Sequence, residues 1–431
     1  MDPGILLIGT VVVLAILASG IPFFVGFIVI NATGLLLFFG TASVGLFTNS
    51  IVSTLTNESL ISIPMFTLMG EFLFRSGAVD ALYDAINKLI VRSRIRLYIL
   101  GLSVSATLGS VSGSAIADAA MFSKSLYPAM VSRGYNRQMS AGLILAGAIL
   151  APVIPPSIHA VLLGTIANVS IAEMLLGGIG PGLLITAAYF VYIKLRVWRD
   201  PSLAPAGIQG EAVTAKGVRQ AVVGLIPFTS ILFLVMGLIM FGIATPDESA
   251  AVGAIGSMLM AAYYRRFTLR LLWDSLMGTV RISSMIFVVV ASASLFAQLL
   301  AFTGVTHGLV GILSDVELNQ WVIYTLMLVI AALCCMFIGP LEFMLIAIPI
   351  YSPIIAKFGW DPIWFYNILL VVLVTGGLTP PMGMAVFVFH SVTREPLGWL
   401  FRAAAPWVGV IAVCVFILTL FPQIVRLFIF R

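Results

Sequence analysis

Charge is what this chain has least of. Of 431 residues only 9% are charged, against 61% hydrophobic, whereas soluble domains carry roughly 25% charged residues. That scarcity excludes a soluble globular fold and leaves a polytopic membrane protein with helical spans. The apolar runs are continuous, without the alternation over about ten residues that marks a membrane β-barrel strand. Three cysteines, Cys334, Cys335 and Cys414, give no disulfide framework, and the adjacent pair reads as apolar helix filler. With three histidines and no Ser/His/Asp or HExxH arrangement, enzymatic chemistry has no support, and the chain is not expected to be an enzyme. No GxxxxGK[ST] loop is present, so coupling to ATP would need another subunit. The start, MDPGILLIG, has an acidic residue where a cleavable signal peptide has basic ones, so none is expected.

What the chain does have is long apolar runs punctuated by Gly, Pro and clustered cations. Breaks place spans near 4–19, 21–40, 59–75, 135–166, 170–198, 217–243, 246–264, 280–303, 361–392 and 396–425. Two further apolar segments, 97–132 and 320–357, are interrupted at their middles by GSVSGS and FIGPLE. If each enters and leaves on one face as a re-entrant hairpin, 19 of the 22 Lys and Arg share a side. Only Lys357, Arg426 and Arg431 lie opposite. The positive-inside rule makes the larger set cytoplasmic, with both termini periplasmic. Residues 78–92 carry Val79, Leu82, Ile86 and Leu89 on one helical face, with Asp80, Asp84 and Lys88 away from it, as a helix lying flat on the membrane does.

The two halves match at an offset of 225 residues. Pro128 falls on Pro353, Gly134 on Gly359, Tyr135 on Trp360, Pro155-Pro156 on Pro380-Pro381, and Pro181 on Pro406. By the topology above the first half starts outside and the second inside, so the repeats are inverted. Inverted repeats with sites at interrupted helices are an architecture of secondary transporters. The expected fold is therefore all-α, with two re-entrant hairpins and two broken helices. Its parts are scaffold helices and a surface helix (1–96), a first hairpin and broken helix (97–166), linking scaffold (167–319), a second hairpin and broken helix (320–392), and a last scaffold helix (393–431).

Non-helical backbone at membrane depth must be buried in protein or line a cavity. At Gly109–Ser114 the chain is expected to turn over, offering carbonyls and the hydroxyls of Ser110, Ser112 and Ser114. In the break at 147–160, each of three prolines frees a carbonyl one turn earlier. Oxygens of this kind suit a hard cation such as Na+. Two tips facing two breaks make two pockets, read as one Na+ each with substrate between.

At these residues the sequence resembles the large membrane subunit of tripartite ATP-independent periplasmic (TRAP) transporters, the DctM-like subunit. The stretch from GSVSGSAIADAA through APVIPPSIHA, with ATPDESAAVGAI at 244–255 and GGLTPPMGMAVFV at 376–388, carries the resemblance. It implies an elevator-type, Na+-coupled importer of small organic anions in the bacterial inner membrane. It also implies a periplasmic substrate-binding protein and a small four-helix membrane subunit as partners. The sodium role carries over to Ser110, Ser112, Gly113, Ser114 and Pro152, and in the second copy to Gly339, Pro340, Gly376, Gly377 and Thr379. Ser114, Asp118, Ser157, His159 and Met382 are the candidate substrate contacts. The chain departs from the family pattern at Glu342, Ala385 and His159.

Other polar residues keep two readings. Asp118, one turn past the first tip, either helps hold a cation or pairs with Lys124 or an arginine. His159 either contacts an anion or packs as a neutral imidazole. Glu342 either serves the second tip or faces solvent, and His307 and His390 read as surface residues. Glu71 and Arg75 are spaced as an i, i+4 pair, and Asp247 and Glu248 read as caps of a helix start. A stand-alone Na+/carboxylate symporter of similar architecture remains an alternative, as does a channel or membrane scaffold.

Overall fold

The computed structural model describes residues 23–40, 43–77, 94–205, 215–304 and 319–430. The first expected span (4–19), the flat helix (78–92) and His307 lie outside the described residues, as do the side chains of Ser110 and Ser112. The helices are α1 (Phe23–Phe39), α2 (Ser43–Leu55), α3 (Ser62–Arg75), α4 (Arg96–Ser112), α5 (Ala115–Ser132), α6 (Arg137–Val153), α7 (Ile158–Ala167), α8 (Ile171–Arg199) and α9 (Ala215–Met240). They continue as α10 (Pro246–Tyr263), α11 (Leu269–Phe302), α12 (Gln320–Cys334), α13 (Pro340–Phe358), α14 (Pro362–Thr375), α15 (Met384–Thr393), α16 (Leu397–Leu420) and α17 (Gln423–Arg426). No strand occurs among the described residues. Helices α8, α11, α13 and α16 are each long and apolar enough to cross a membrane, and α6 with α7, bent by 44°, makes a broken span.

The repeat is written into the helix boundaries. Shifting the first residues of α5 and α6, Ala115 and Arg137, by 225 gives Pro340 and Pro362, which open α13 and α14. Gly134 and Gly359 both take left-handed backbone (φ 81° and 62°), and Pro155-Pro156 and Pro380-Pro381 are both cis. Asn136 caps α6 and Asp361 caps α14, each through a side-chain oxygen.

Both hairpins return to their starting end. In the first, α4–α5, the Tyr135 hydroxyl donates to the Arg94 carbonyl at 2.9 Å and accepts from the Leu97 amide at 3.3 Å. The Tyr135 ring meets Tyr98 edge-on at 4.9 Å. In the second, α12–α13, Trp360 meets Tyr324 edge-on at 5.7 Å, the same contact one repeat later.

The two feet lie at opposite ends of the molecule. Tyr98 donates from the first foot to the carbonyl of Leu203, just past the C-terminal end of α8. Glu395, one residue ahead of the α16 N-cap, pairs with Arg137 at the same end. Helix α16 then runs away from that end. Near its far terminus Thr419 shares a hydrogen bond with Tyr324 (2.9 Å), and the Leu418 carbonyl accepts from Trp364. The hairpins therefore enter from opposite sides, and the repeats are inverted as expected.

Packing is crossed between the repeats. The second half of each broken helix lies on the returning arm of the other repeat's hairpin: α7 on α13, and α15 on α5. Each first half, α6 or α14, packs against its own hairpin. The scaffold is built on α3 with α10 and α11, and α11 also carries α1 and α2. One large apolar core joins most of these helices, and a separate small cluster of Phe27, Val289, Ala293 and Leu345, with Ile166 against it, lies between α11 and the α7–α13 pair.

Three local readings change. Helix α11 begins at Leu269 rather than near 280, its 34 residues spanning about 51 Å at 1.5 Å each. The apolar stretch alone marked the sequence boundary, and the added turns carry Arg270 and Asp274, which pair loosely at 3.9 Å. The first tip is tighter than the stretch Gly109–Ser114, because α4 stays helical through Ser112. His390 is half-buried, its Nδ1 donating to the Glu395 carbonyl at 2.6 Å. The expected i, i+4 pair Glu71–Arg75 forms at 2.7 Å, and Glu248 closes a capping box with Thr245.

Candidate functional site

The first tip is a two-residue turn. Gly113 ends α4 in left-handed backbone (φ 58°), a conformation that glycine adopts without strain. Ser114 then caps α5, its hydroxyl accepting from the Ala117 amide at 3.3 Å. Helix α4 lies so close to α6 that a Cβ on Gly109 would stand 2.8 Å from the Ala151 Cα. A Cβ on Gly113 would stand 3.5 Å from Ile158, the first residue of α7. The tip thus sits directly on the first break. Asp118 in the first turn of α5 is fully buried.

The first break is held by one hydroxyl. Pro152, Pro155 and Pro156 cannot donate backbone hydrogen bonds, and Ile154 leaves helical geometry (φ −78°, ψ 123°). Ser157, fully buried, donates to the Pro152 carbonyl at 2.5 Å and accepts from the Ala160 amide at 3.2 Å. Its proton and one lone pair are therefore spent on joining α6 to α7. His159 follows in the first turn of α7, with Nδ1 buried and no hydrogen-bond partner among the described residues. Two glycines of α8 let that helix close on the break: a Cβ on Gly178 would lie 2.9 Å from the Val153 carbonyl, and one on Gly182 would lie 2.6 Å from Ile154.

The second break is looser and richer in bare backbone. A short 3-10 turn covers Gly376–Leu378, and Thr379 bonds back to the Gly376 carbonyl through its amide (3.1 Å) and its hydroxyl (3.0 Å). The carbonyl oxygens of Gly377 and Thr379 converge on Gly383, 3.0 and 3.1 Å from where a Cβ would sit. The second tip is longer than the first, from Cys335 to Gly339. It is tied to this break by the Met382 amide donating to the Met336 carbonyl at 3.2 Å, and the Cys335 carbonyl abuts Gly376. Gly339 and Pro340 open α13, and the Glu342 carboxylate folds back over Gly339.

The structure thus groups Gly113, Ser114, Asp118, Pro152, Ser157 and His159 at one tip and break. Gly339, Pro340, Gly376, Gly377, Thr379 and Met382 gather at the other. Sequence reasoning missed the Met336 carbonyl, the convergence on Gly383 and the Arg137–Glu395 pair. The offset repeat could have found Gly383, which matches Ile158, the first residue of α7. No group of three His, Cys, Asp or Glu among the described residues could hold a metal ion. The oxygens on offer are backbone carbonyls and hydroxyls, a donor set that hard cations accept.

Inverted repeats, each with a tip seated on its own break and an arm exchanged with the other, define a polytopic membrane transport protein. Comparison with known proteins narrows this. Residues 10–424 match the family described as "Tripartite ATP-independent periplasmic transporter, DctM component", and the chain belongs to that family, as a multi-pass inner-membrane protein. It is 29% identical over 392 residues to the C4-dicarboxylate TRAP transporter large permease protein DctM of Pseudomonas aeruginosa, covering 90% of each chain. It is 27% identical over 418 residues to the ectoine/5-hydroxyectoine large permease UehC of Ruegeria pomeroyi, covering 96% of each. It is 28% identical over 426 residues to the sialic acid permease SiaT of Haemophilus influenzae, covering 97% of this chain and 67% of that one. Among solved structures, the YdaH transporter of Alcanivorax borkumensis superposes with a TM-score of 0.64 at 12% identity, covering 89% of each chain. At that identity the likeness speaks for the fold alone.

Proposed function

We propose that the chain is the large membrane subunit of a Na+-driven importer of a small organic anion, delivered by a periplasmic binding protein. A small four-helix membrane subunit braces it, both termini face the periplasm, and the unit formed by 97–166 with 320–392 moves as a body against the remaining helices. The observation that carries the reading is the pairing of each hairpin tip with its own break. At the second pair the Gly377 and Thr379 carbonyls crowd the Gly383 backbone, and the Met336 carbonyl ties the tip to the break; backbone oxygens of this kind suit Na+. At the first, the Ser114 hydroxyl at the tip and the proline-interrupted backbone of the break supply the counterpart. Relatives named for dicarboxylate, sialic acid and ectoine transport support uptake of small carboxylate-bearing solutes.

A Na+ titration of thermal stability, with choline as the control cation, tests the coupling. Saturating Na+ should raise the melting temperature, with about 2.7 kcal/mol of stabilisation at a concentration 100 times Kd. No rise would overturn the two ion sites. Co-purification from native membranes should bring down a small membrane protein of about four helices in equal amount.

A further inference from the structure

Away from the tips, the first broken helix ends against the scaffold at a polar cleft. Helix α7 closes at Asn168, whose backbone is left-handed (φ 52°), at the end of the molecule opposite Arg137. Two adjoining cavities of about 280 and 420 Å³ lie here, sharing Asn57, Thr165 and Asn168 as walls. The smaller is set between α2, α7 and α11, and the larger reaches the starts of α8 and α10.

The lining is polar and almost uncharged. Among the described residues no Lys or Arg lines either cavity, and Asp247 is the one charged wall residue. The hydroxyls of Ser53 and Thr165 donate to the Ser50 and Val161 carbonyls (3.1 and 2.9 Å), so their oxygens face the cleft as acceptors. Asn57 Oδ1 accepts from the Ser59 amide at 3.0 Å, which leaves its amide nitrogen as a donor. Ser50, 1% exposed, and Gln298 also line the smaller cavity. Ser50 Oγ and Gln298 Oε1 are buried and have no hydrogen-bond partner among the described residues. Buried polar atoms are ordinarily satisfied, and two on one cavity wall point to a hydrogen-bonding occupant. Around the mouth the charge is negative: Glu58 follows Asn57, and Glu173 and Glu248 line the next pocket.

We infer that this cleft is an entry site that receives the solute before it reaches the tips, and that it takes a small hydroxylated solute bearing at most one carboxylate. The inference rests on the transport reading above and narrows its substrate class. A hydroxyl both donates and accepts, which matches the mixed lining, with Gln298 Oε1 placed to accept from it, and one carboxylate finds donors in Asn57 and Ser50. A second carboxylate would lose its water with no cation to replace it, beside a negative rim.

The test uses the full chain purified in detergent, with gluconate and succinate as probes in calorimetric titration. Gluconate should bind at least tenfold more tightly than succinate. Gln298→Leu and Ser50→Val should each weaken gluconate at least fivefold, while leaving the Na+-dependent rise in melting temperature in place as the control for folding. Equal or tighter succinate binding, no gluconate binding, or gluconate binding untouched by both substitutions would overturn the entry site. The two readings fail separately: absence of a Na+ effect in the unsubstituted chain sinks the coupling, not the cleft.

Discussion

Gly109 and Gly377 are both glycines of the candidate site, yet they answer to different physics. A methyl group at Gly109 would meet the Ala151 backbone at 2.8 Å, whereas at Gly377 nothing stands within 4 Å. Gly109→Ala is therefore expected to lower stability by about 1–3 kcal/mol through overpacking, read as a drop in melting temperature. Gly377→Ala should leave the melting temperature in place. Ser157→Ala removes a helix cap and orphans the buried Pro152 carbonyl, which costs about 1–3 kcal/mol. Restoration by Ser157→Thr would show that the hydroxyl bridge is what matters, and an unchanged melting temperature in the alanine variant would sink that role.

At the scale of elements, the foot of the first hairpin is pinned to the end of the second broken helix. The Glu395 carboxylate, 11% exposed, accepts from Arg137 and from the Tyr127 hydroxyl at 2.6 Å. The Glu395 carbonyl accepts from His390 on α15. Glu395→Gln keeps the shape and removes the charge, and should cost about 1–2 kcal/mol because hydrogen bonds to an ionised group are the stronger ones. A thermal melt of the variant measures it, and no change would mean the cluster is ornamental. Much at this scale was legible in the sequence. Pro, Gly and capping residues dictate backbone locally, so the matching starts at Ala115 and Pro340, or Arg137 and Pro362, could be read from spacing alone. Tip length could not, because α4 stays helical through Ser112 where its Gly109 closes on the Ala151 backbone, a contact between residues distant in sequence. Nor could the Tyr127–Glu395 contact, which joins residues 268 apart.

At the scale of the molecule, α7 of the first broken helix meets α11 of the scaffold through the small cluster of Ile166 with Val289 and Ala293. Apolar contacts of this kind have no directional bonds to break, so they permit sliding. A cysteine pair at Ile166 and Ala293, in a chain whose Cys334, Cys335 and Cys414 are replaced by alanine, should crosslink with an efficiency that changes severalfold on adding Na+ and solute. Crosslinking independent of both would count against a moving unit. Inversion was expected from the placement of cations, and the opposed hairpin feet bear it out. The exchange of arms was invisible, since apolar helix faces carry no sign of which neighbour they will choose.

That exchange has a thermodynamic consequence. On the proposed two-ion reading, tightening one tip around an ion would shift a wall of the other repeat's site, because α7 lies on α13 and α15 on α5. The two sites then share a single linkage: whatever free energy one cation lends the other must be returned in equal measure. Na+ dependence of uptake should rise more steeply than a one-site isotherm, and weakening either break should lower the apparent affinity at both.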